Sequence, residues 1–385
     1  MSGIDPGTPT WLRTHNDRTA FRLLLEHGPL TRAQLGTLSG MSKPTAAQML
    51  ARLERVDLIQ PVGEVSAGRG PNAISYGVRR DRITGVAVSM LADGIHAVVV
   101  DATDDEHPIA ELTLADGGRT PEDDVRRAID AACAAASVDP GTVSIVAVGV
   151  QAAVDVVGDT LSLTDTLPGW PETGARARIE RALGLTVVLE NDVNLAAMAE
   201  RAVGAAIDAQ TVVHFWIGQG LGVALDFGGV VHRGASGGAG EIGYLEAPRS
   251  ANDLEPGVDD LTGLVGGRPV ARLLGAAPGQ RFVDVLPRLA ADGAALEAVA
   301  DRVVIAVAPM LAIVDPDLLV LGGPTGAAGG DALAARVTAR LDRTTHPRLS
   351  VRPSTTGDQP VLLGARRLLV ERIRDLLEAD ITPAT

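Results

Sequence analysis

Residues 186–201 read TVVLENDVNLAAMAER, and they join a strand pattern directly to a helix pattern. Residues 186–190 predict a strand because four of the five are β-branched or apolar, and residues 192–201 predict a helix. The polar pair Asn191 and Asp192 falls at the junction, where Asp192 is well suited to cap the helix. The stretch therefore predicts one step of an α/β fold, in which helices cover a sheet.

The same alternation continues on both sides of this stretch. Upstream, the patterns predict strands at 83–89, 96–101, 111–114 and 144–150, and helices at 121–136 and 174–183. Downstream, they predict strands at 211–217 and 223–227 around a glycine turn at 218–222, then a helix at 296–314, a strand at 318–321 and a helix at 362–378. We expect two α/β lobes, residues 81–195 completed by a C-terminal helix at 362–379, and residues 196–361. The cleft between such lobes is a common site for small molecules.

Residues 1–80 have a different pattern, which predicts a winged helix-turn-helix. A first helix is predicted at 16–26, and Thr31 and Gln34 form a capping box that starts a second helix. Ser42 caps a third helix, whose residues Ala46, Met49, Leu50 and Leu53 form a buried stripe. Residues 60–77 then predict a short β-ribbon, the wing.

The face of the third helix opposite this stripe is polar and suits the major groove of DNA. An arginine flanked by glycines at the tip of the wing suits the minor groove. The candidate DNA contacts are Ser42, Lys43, Thr45, Gln48, Arg52 and Arg69. The alternative is a three-helix domain that binds another protein through the same polar face.

The charge is distributed unevenly along the chain of 385 residues, whose net charge is −14. Residues 1–80 hold ten Lys and Arg against six Asp and Glu, whereas the remainder holds 24 against 42. This split is typical of a basic reader module joined to an acidic body. One cysteine, Cys133, excludes an internal disulfide and a thiolate metal cage. With no export signal and no apolar run of membrane-spanning length, we expect a cytoplasmic protein without membrane contact.

Several segments in this order resemble the ROK family of repressors and sugar kinases, and specifically its regulators. The resemblance implies a winged helix-turn-helix followed by a two-lobed body of the actin/hexokinase fold. The segments that carry it are LTRAQL at 30–35, MSKPT at 41–45, LPGW at 167–170, ENDVN at 190–194, the glycine turn at 218–222, the glycine-rich segment at 234–243 and LLVLGG at 318–323.

The resemblance also implies a sugar site. Asp192 matches the aspartate that acts as the base in the family's kinases, and Asn191 and Asp192 would hold sugar hydroxyls. Glu241 matches the family's sugar-binding glutamate, although a solvated loop glutamate is the alternative. Tyr244 stands where the family has a histidine that contacts sugar and binds zinc, and residues 248–260 replace the cysteine-rich zinc loop without any Cys or His. We therefore expect no metal, and the glutamate that follows that loop in the family has no counterpart here.

The segments that match the nucleotide-binding loops of the family's kinases depart further from the family pattern than the sugar site does. Ala87 stands where they have an aspartate linked to the metal, and the glycine pair of the first phosphate loop is absent. Asp93 and Gly94 are typical of a hairpin turn instead. The second glycine loop, at 218–222, is present, but glycine turns between strands are common. We expect no phosphotransfer and no cofactor.

These observations predict a transcriptional regulator, specifically a repressor, that binds a double-stranded DNA operator as a homodimer or homotetramer. Its body would sense a sugar or sugar derivative through Asn191, Asp192, Glu241 and Tyr244. One alternative is an active ATP-dependent carbohydrate kinase with an accessory DNA-binding module. Another is a regulator that has lost ligand sensing and responds to a protein partner.

Overall fold

The N-terminal unit consists of three helices and a small antiparallel sheet in the order β1-β3-β2. The structure is a computed structural model that describes residues 8–66, 72–114, 119–164, 167–341 and 345–381. The elements of the unit are α1 (Pro9–His27), β1 (Leu30–Thr31), α2 (Arg32–Ser39), α3 (Lys43–Arg55), β2 (Ile59–Val65) and β3 (Ala73–Val78).

Local signals in the sequence set the ends of these helices. The hydroxyl of Thr8 caps α1, so the helix begins seven residues before the predicted position 16. The capping box of Thr31 and Gln34 is present at the start of α2, which ends at Gly40 in a left-handed conformation. Ser42 caps α3, whose apolar stripe is buried as predicted. The three helices and the ribbon predicted for this region are confirmed.

The first large sheet has the strand order β10-β7-β4-β5-β6. Strands β10, β7 and β4 are parallel, and β4, β5 and β6 form an antiparallel meander. One face packs against α4 and α5, and the other packs against α6 and α12. The elements are β4 (Thr84–Met90), β5 (Gly94–Val100), β6 (Ala110–Thr113), α4 (Pro121–Ala136), β7 (Val143–Val150), β8 (Ala153–Asp155), β9 (Thr160–Ser162), α5 (Ala175–Leu183), β10 (Thr186–Asn191) and α6 (Asp192–Val203).

The second large sheet has the order β13-β12-β11-β14-β15. Its main apolar face packs against α10, α11 and the short helices α7 to α9. The elements are β11 (Thr211–Ile217), β12 (Leu221–Phe227), β13 (Val230–Val231), α7 (Leu261–Val265), α8 (Gly267–Leu273), α9 (Phe282–Val285), α10 (Gly293–Val314), β14 (Leu318–Gly322), α11 (Gly323–Arg340), β15 (Ser350–Pro353) and α12 (Pro360–Ala379).

Two helices connect these parts. Helix α6 packs against α12 on one side, and its residues Val193 and Ala197 contact Ala224 of the second sheet on the other. The last helix, α12, shares one apolar core with the first sheet and with the N-terminal unit. Among the described residues, no helix combines the length and apolarity required to cross a bilayer.

Candidate sugar site between the sheets

A cavity of about 320 Å³ lies where strand β10 ends and helix α6 begins. The turn between β11 and β12 and the segment 239–244 close it from the side of the second sheet. The structure brings all four predicted effector residues to its wall. They are Asn191, Asp192, Glu241 and Tyr244.

Asn191 organises the junction between β10 and α6. Its Oδ1 accepts a hydrogen bond of 3.1 Å from the backbone N–H of Asn194, so Asn191 is the cap of α6. Its Nδ2 donates to the carbonyl oxygen of Ala152 at 3.0 Å. The N-cap of α6 is therefore Asn191, and Asp192 is the first helical residue. The Asp192 side chain does not act as the cap and lines the cavity instead.

Asp192 is almost fully buried, and its Oδ1 accepts a hydrogen bond of 2.9 Å from the N–H of Val193. Burial raises the pKa of the Asp192 carboxyl to about 7, and the negative charge of Glu241 raises it further in the same direction. Burial also raises the pKa of Glu241. Among the described residues, no Lys, Arg or His lines the cavity. Two carboxyl groups thus face a space where sugar hydroxyls would find acceptors.

A partly buried ion pair links the end of β10 to the segment that follows β13. Glu190, which precedes Asn191, accepts bonds from the N–H of Asn191 at 3.0 Å and from Nδ2 of Asn194 at 2.9 Å. Its other oxygen pairs with Nη2 of Arg233 at 2.6 Å, in the segment that follows β13. Sequence reasoning missed Arg233 because its partner lies 43 residues away.

The position of Glu241 depends on the glycine before it. Gly240 has φ of +92°, and a Cβ there would lie 1.8 Å from the carbonyl oxygen of Val223. The carbonyl of Gly240 accepts the N–H of Val223 at 2.9 Å. Only glycine permits this close approach to β12, and it places the next residue, Glu241, at the cavity wall.

Four polar residues of the wall were not predicted: Gln151, Gln219, Asp260 and Thr262. Asp260 caps α7 by accepting the N–H of Gly263 at 2.6 Å, and the hydroxyl of Thr262 donates to the carbonyl of Gly243 at 3.0 Å. Asp260 belongs to the segment that replaces the zinc loop, and a capping Asp before an apolar run was the signal that could have identified it. The predicted Tyr244 lies at the mouth and is 61% exposed.

The segment that replaces the first phosphate loop is an ordinary hairpin. Ala87 is fully buried inside β4, and the N–H of Leu91 donates to the carbonyl of Gly94 at 2.8 Å, as the hairpin prediction requires. Arg119 donates to the carbonyl of Ala92 at 2.9 Å and so fixes the turn. Residues 218–220 form the β11–β12 turn beside the start of α6, whereas residues 221 and 222, predicted as part of the turn, already belong to β12.

The candidate DNA contacts of α3 divide into two groups. Ser42, Lys43 and Gln48 are exposed, and Thr45 is half-buried beside them. Arg52 instead forms two bonds of 2.7 Å to Asp17 of α1. The remaining candidate, Arg69, lies outside the described residues. In the part of the chain that the structure describes, no group of three or more His, Cys, Asp or Glu side chains could hold a metal.

Comparison with known proteins agrees with this geometry. The sequence profile of the ROK family matches residues 87–372. The xylose repressor of Bacillus subtilis (strain 168) is 21% identical over 249 residues, which span 63% of this chain and 63% of that protein. The glucokinase of Streptomyces coelicolor is 34% identical over 103 residues, 26% of this chain and 32% of that protein.

Two solved structures share the fold. A ROK family transcriptional regulator, described as a homolog of the E. coli MLC protein, aligns with a TM-score of 0.68 and 18% identity over 96% of this chain and 99% of that chain. A ROK family glucokinase from Streptomyces griseus, in complex with glucose and AMPPNP, aligns with a TM-score of 0.58 and 24% identity over 74% of this chain and 98% of that chain. The two large sheets, the cavity between them and the match over residues 87–372 lead to one conclusion: the chain belongs to the ROK family and has its mixed α/β, sugar-kinase-like fold.

Proposed function

We propose that this chain is a DNA-binding transcriptional repressor of the cytoplasm, whose body senses a sugar or sugar derivative. The observation that carries the proposal is the N-terminal unit, in which a short turn joins α2 to α3, one face of α3 is polar and exposed, and a β-ribbon lies beside it. This arrangement supports the assignment of the unit as a winged helix-turn-helix. The alignment with the regulator covers 96% of the chain, whereas that with the glucokinase covers 74%. The alignment with the xylose repressor spans less than two thirds of that protein. The function named for that relative therefore supports this proposal without establishing it for this chain.

The exposed start of α3 would enter the major groove. Ser42, Lys43, Thr45 and Gln48 are the proposed DNA contacts, because their side chains lie on the exposed end and face of α3. Arg52 has a different role in this proposal. Its bonds to Asp17 fix α3 against α1 and so position the reading helix. Arg69 stays a prediction for the wing.

The cavity would bind the effector. Asp192 and Glu241 supply acceptors for sugar hydroxyls, Asn191 holds the junction that presents them, and Tyr244 borders the mouth. We place the domain boundaries near residues 80, 195 and 361, with α12 returning to the first lobe. A homodimer or homotetramer would present two reading helices to a two-fold symmetric operator.

The same cavity supports a second candidate, a carbohydrate kinase. A carboxyl whose pKa lies near 7 is well matched to a general base at neutral pH, and the pKa of Asp192 is about 7. We favour the regulator because Ala87, buried inside β4, carries no carboxylate, and the hairpin at Asp93 and Gly94 lacks the glycine pair of a phosphate cradle. The protein-partner alternative requires that no sugar acts at the cavity.

The test combines operator binding with turnover. Anisotropy of a labelled operator should fall when the effective sugar is added to the wild type. Asp192→Ala and Glu241→Ala should need roughly ten to a hundred times more sugar for the same fall, because a ligand hydroxyl loses its acceptor. Without sugar, both variants should bind the operator like the wild type. Asp93→Ala is the matched control, since Asp93 is an exposed acid on the hairpin turn, outside the cavity.

In parallel, ATP, magnesium and the same sugars should give no ADP above background. Turnover that Asp192→Asn abolishes would establish the kinase instead. A sugar response at the wild-type concentration in both alanine variants would show that the sugar does not act at the cavity.

A further inference from the structure

A second, smaller cavity lies between α1 and α3 of the N-terminal unit. Its volume is about 170 Å³, roughly half that of the sugar cavity, so it admits a single small group. The polar side chains that the wall takes from α1 include Arg13, Thr14 and Asp17, and those from α3 are Arg52 and Arg55. The cavity therefore joins the first half of α1 to the last turn of α3.

The wall of this cavity carries a net positive charge. Its ionisable side chains are three arginines, Arg13, Arg52 and Arg55, and one carboxylate, Asp17. Arg52 neutralises Asp17, because its guanidinium group donates to both carboxylate oxygens at 2.7 Å. Arg13 and Arg55 are exposed, and neither has an ion-pair or hydrogen-bond partner among the described residues. Two guanidinium groups from different helices thus border the cavity with their donors available.

Thr14 adds a buried donor to the same wall. Its side chain is 7% exposed, and its Oγ1 has no hydrogen-bond partner in the part of the chain that the structure describes. A buried hydroxyl without a partner costs free energy, and such groups are rare in folded proteins. Because Thr14 lines the cavity, an acceptor bound there would satisfy this hydroxyl.

A phosphate group matches this set of donors. Guanidinium groups bind phosphate through charge-assisted hydrogen bonds, and the several oxygens of a phosphate can accept from donors that approach from different helices. A carboxylate offers only two oxygens for the same donors. A neutral ligand would leave the positive charge of the wall uncompensated. The charge and the donors of the wall therefore favour a phosphate.

The cavity lies beside the proposed DNA contacts of α3. Arg55 follows Gln48 by seven residues, close to two helical turns, so both side chains leave α3 on the same side. They are about 10 Å apart along the helix axis. If Gln48 contacts base edges in the major groove, Arg55 would reach the DNA backbone at the edge of that groove.

We propose that the cavity between α1 and α3 binds one phosphate group through Arg13, Arg55 and the hydroxyl of Thr14. The phosphate belongs to the backbone of bound duplex DNA or to a small phosphate-bearing molecule, which would compete with DNA for the cavity. Either ligand would link α1 to α3 and so affect the position of the reading helix. The part of this inference that concerns DNA rests on the proposed function of the N-terminal unit.

The first arm of the test uses inorganic phosphate alone. It is added to the full chain with chloride adjusted to hold the ionic strength constant, and thermal unfolding is followed. A free phosphate ligand should raise the Tm in a saturable way, and Arg13→Gln or Arg55→Gln should weaken its apparent affinity roughly tenfold or more. Arg18→Gln is the matched control, because Arg18 is an exposed arginine of α1 outside the cavity, one turn before Arg22 on the side that meets α12.

The second arm measures how duplex binding depends on salt between about 0.05 M and 0.2 M. Each phosphate contact contributes about 0.9 to the slope of log K against log salt. The double variant Arg13→Gln with Arg55→Gln should therefore lower the magnitude of the slope by about 0.9, whereas Arg18→Gln should leave it unchanged. The loss should be the same on random and on selected sequences, because a backbone contact carries no sequence information.

Thr14→Val separates a phosphate site from a purely structural role. Valine keeps the shape of threonine and removes the hydroxyl, which has no partner among the described residues. The free energy of unfolding without phosphate should therefore not decrease, while phosphate or duplex binding should weaken. A less stable variant that binds both ligands like the wild type would remove Thr14 from the site.

The outcomes distinguish the two sources of the phosphate. A saturable rise in Tm that the arginine variants lose assigns a free phosphate, and a reduced salt slope assigns the DNA backbone. If neither the Tm rise nor the slope depends on Arg13 and Arg55, the inference is wrong. A chain that binds no duplex contradicts the proposed function, and the phosphate arm then decides the inference alone.

Discussion

At the scale of single residues, the carboxyl of Asp192 in the cavity makes the stability of the fold depend on pH. Burial raises the pKa of its carboxyl from 3.8 to about 7, with a further contribution from the nearby Glu241. A carboxyl whose pKa is higher in the folded than in the unfolded state stabilises the fold while it is protonated. This contribution is complete below about pH 4 and is lost as the pH rises through about 7.

Replacing Asp192 with Asn should remove this loss, since the amide stays neutral. The free energy of unfolding of Asp192→Asn, measured relative to wild type by urea denaturation, should increase from about pH 4 to about pH 8 by at most about 4 kcal/mol. Asp93→Asn, at an exposed turn, is the control and should show no such trend. If the difference in the free energy of unfolding between Asp192→Asn and wild type stays constant with pH, the Asp192 carboxyl does not have the raised pKa of a buried group without a compensating charge.

The residues that the sequence could predict are those with local signals. Asn191, Asp192 and Glu241 lie in short motifs, and the structure places them around one cavity. Contacts between residues that are distant in the chain could not be predicted, because no local pattern shows that Glu190 pairs with Arg233 or that Asp17 pairs with Arg52. The same limit explains why Arg52 was assigned to the DNA-reading face: helical periodicity gives the direction of a side chain but not its partner.

At the scale of elements, α6 and α12 form a path between the cavity and the N-terminal unit. Asp192 begins α6, and α6 crosses α12 so closely that a Cβ on Gly364 would lie 1.9 Å from the carbonyl oxygen of Leu195. Twenty residues of α12 span about 30 Å, and near its far end Glu378 forms two bonds of 2.7 Å to Arg22 of α1. A shift of α6 on effector binding would therefore reach the reading helices through α12.

Gly364→Ala should disturb this path, because α12 must move away from Leu195 to admit the methyl group. We expect a loss of about 1 to 3 kcal/mol in stability and a weaker effect of sugar on operator affinity, with sugar binding itself retained. Thermal unfolding, calorimetry and operator anisotropy measure the three quantities. Gly293→Ala is the matched control, because a Cβ there meets nothing within 4 Å.

If Gly364→Ala fails to fold, Glu378→Gln tests the same path at its other end, where the partner Arg22 is exposed and the pair contributes little to stability. An unaltered sugar response in the variant that folds would show that the signal takes another route.

Secondary structure was predictable wherever the hydrophobic period was clear, and α4 and β11 have the predicted bounds. Helix α11 was missed, because GPTGAAGG at its start is typical of a loop. There the chain departs from helical geometry at Gly330, and the fold tolerates the glycines because Gly326 packs directly against the backbone of β14. Tertiary packing thus overrides a weak local propensity.

At the scale of the whole molecule, charge and packing suggest how the parts work together. Residues 1–80 carry an excess of positive charge within a chain of net charge −14, so the N-terminal unit would face the phosphates and the acidic body would face away. The core shared by α12, the first sheet and the N-terminal unit ties the orientation of this unit to the body. We therefore expect this unit to read a DNA sequence.

Selection of bound duplexes from a random library by the full chain tests whether the N-terminal unit reads a DNA sequence. We expect one enriched, two-fold symmetric site with half-sites about one helical turn or a multiple of it apart, and an affinity that falls steeply with salt. On that site, Gln48→Ala should bind more weakly by about 1 to 3 kcal/mol, whereas Gln280→Ala, in the second lobe, should bind like the wild type. A library that yields no enriched sequence, or a site that Gln48→Ala binds as tightly as the wild type, would contradict it.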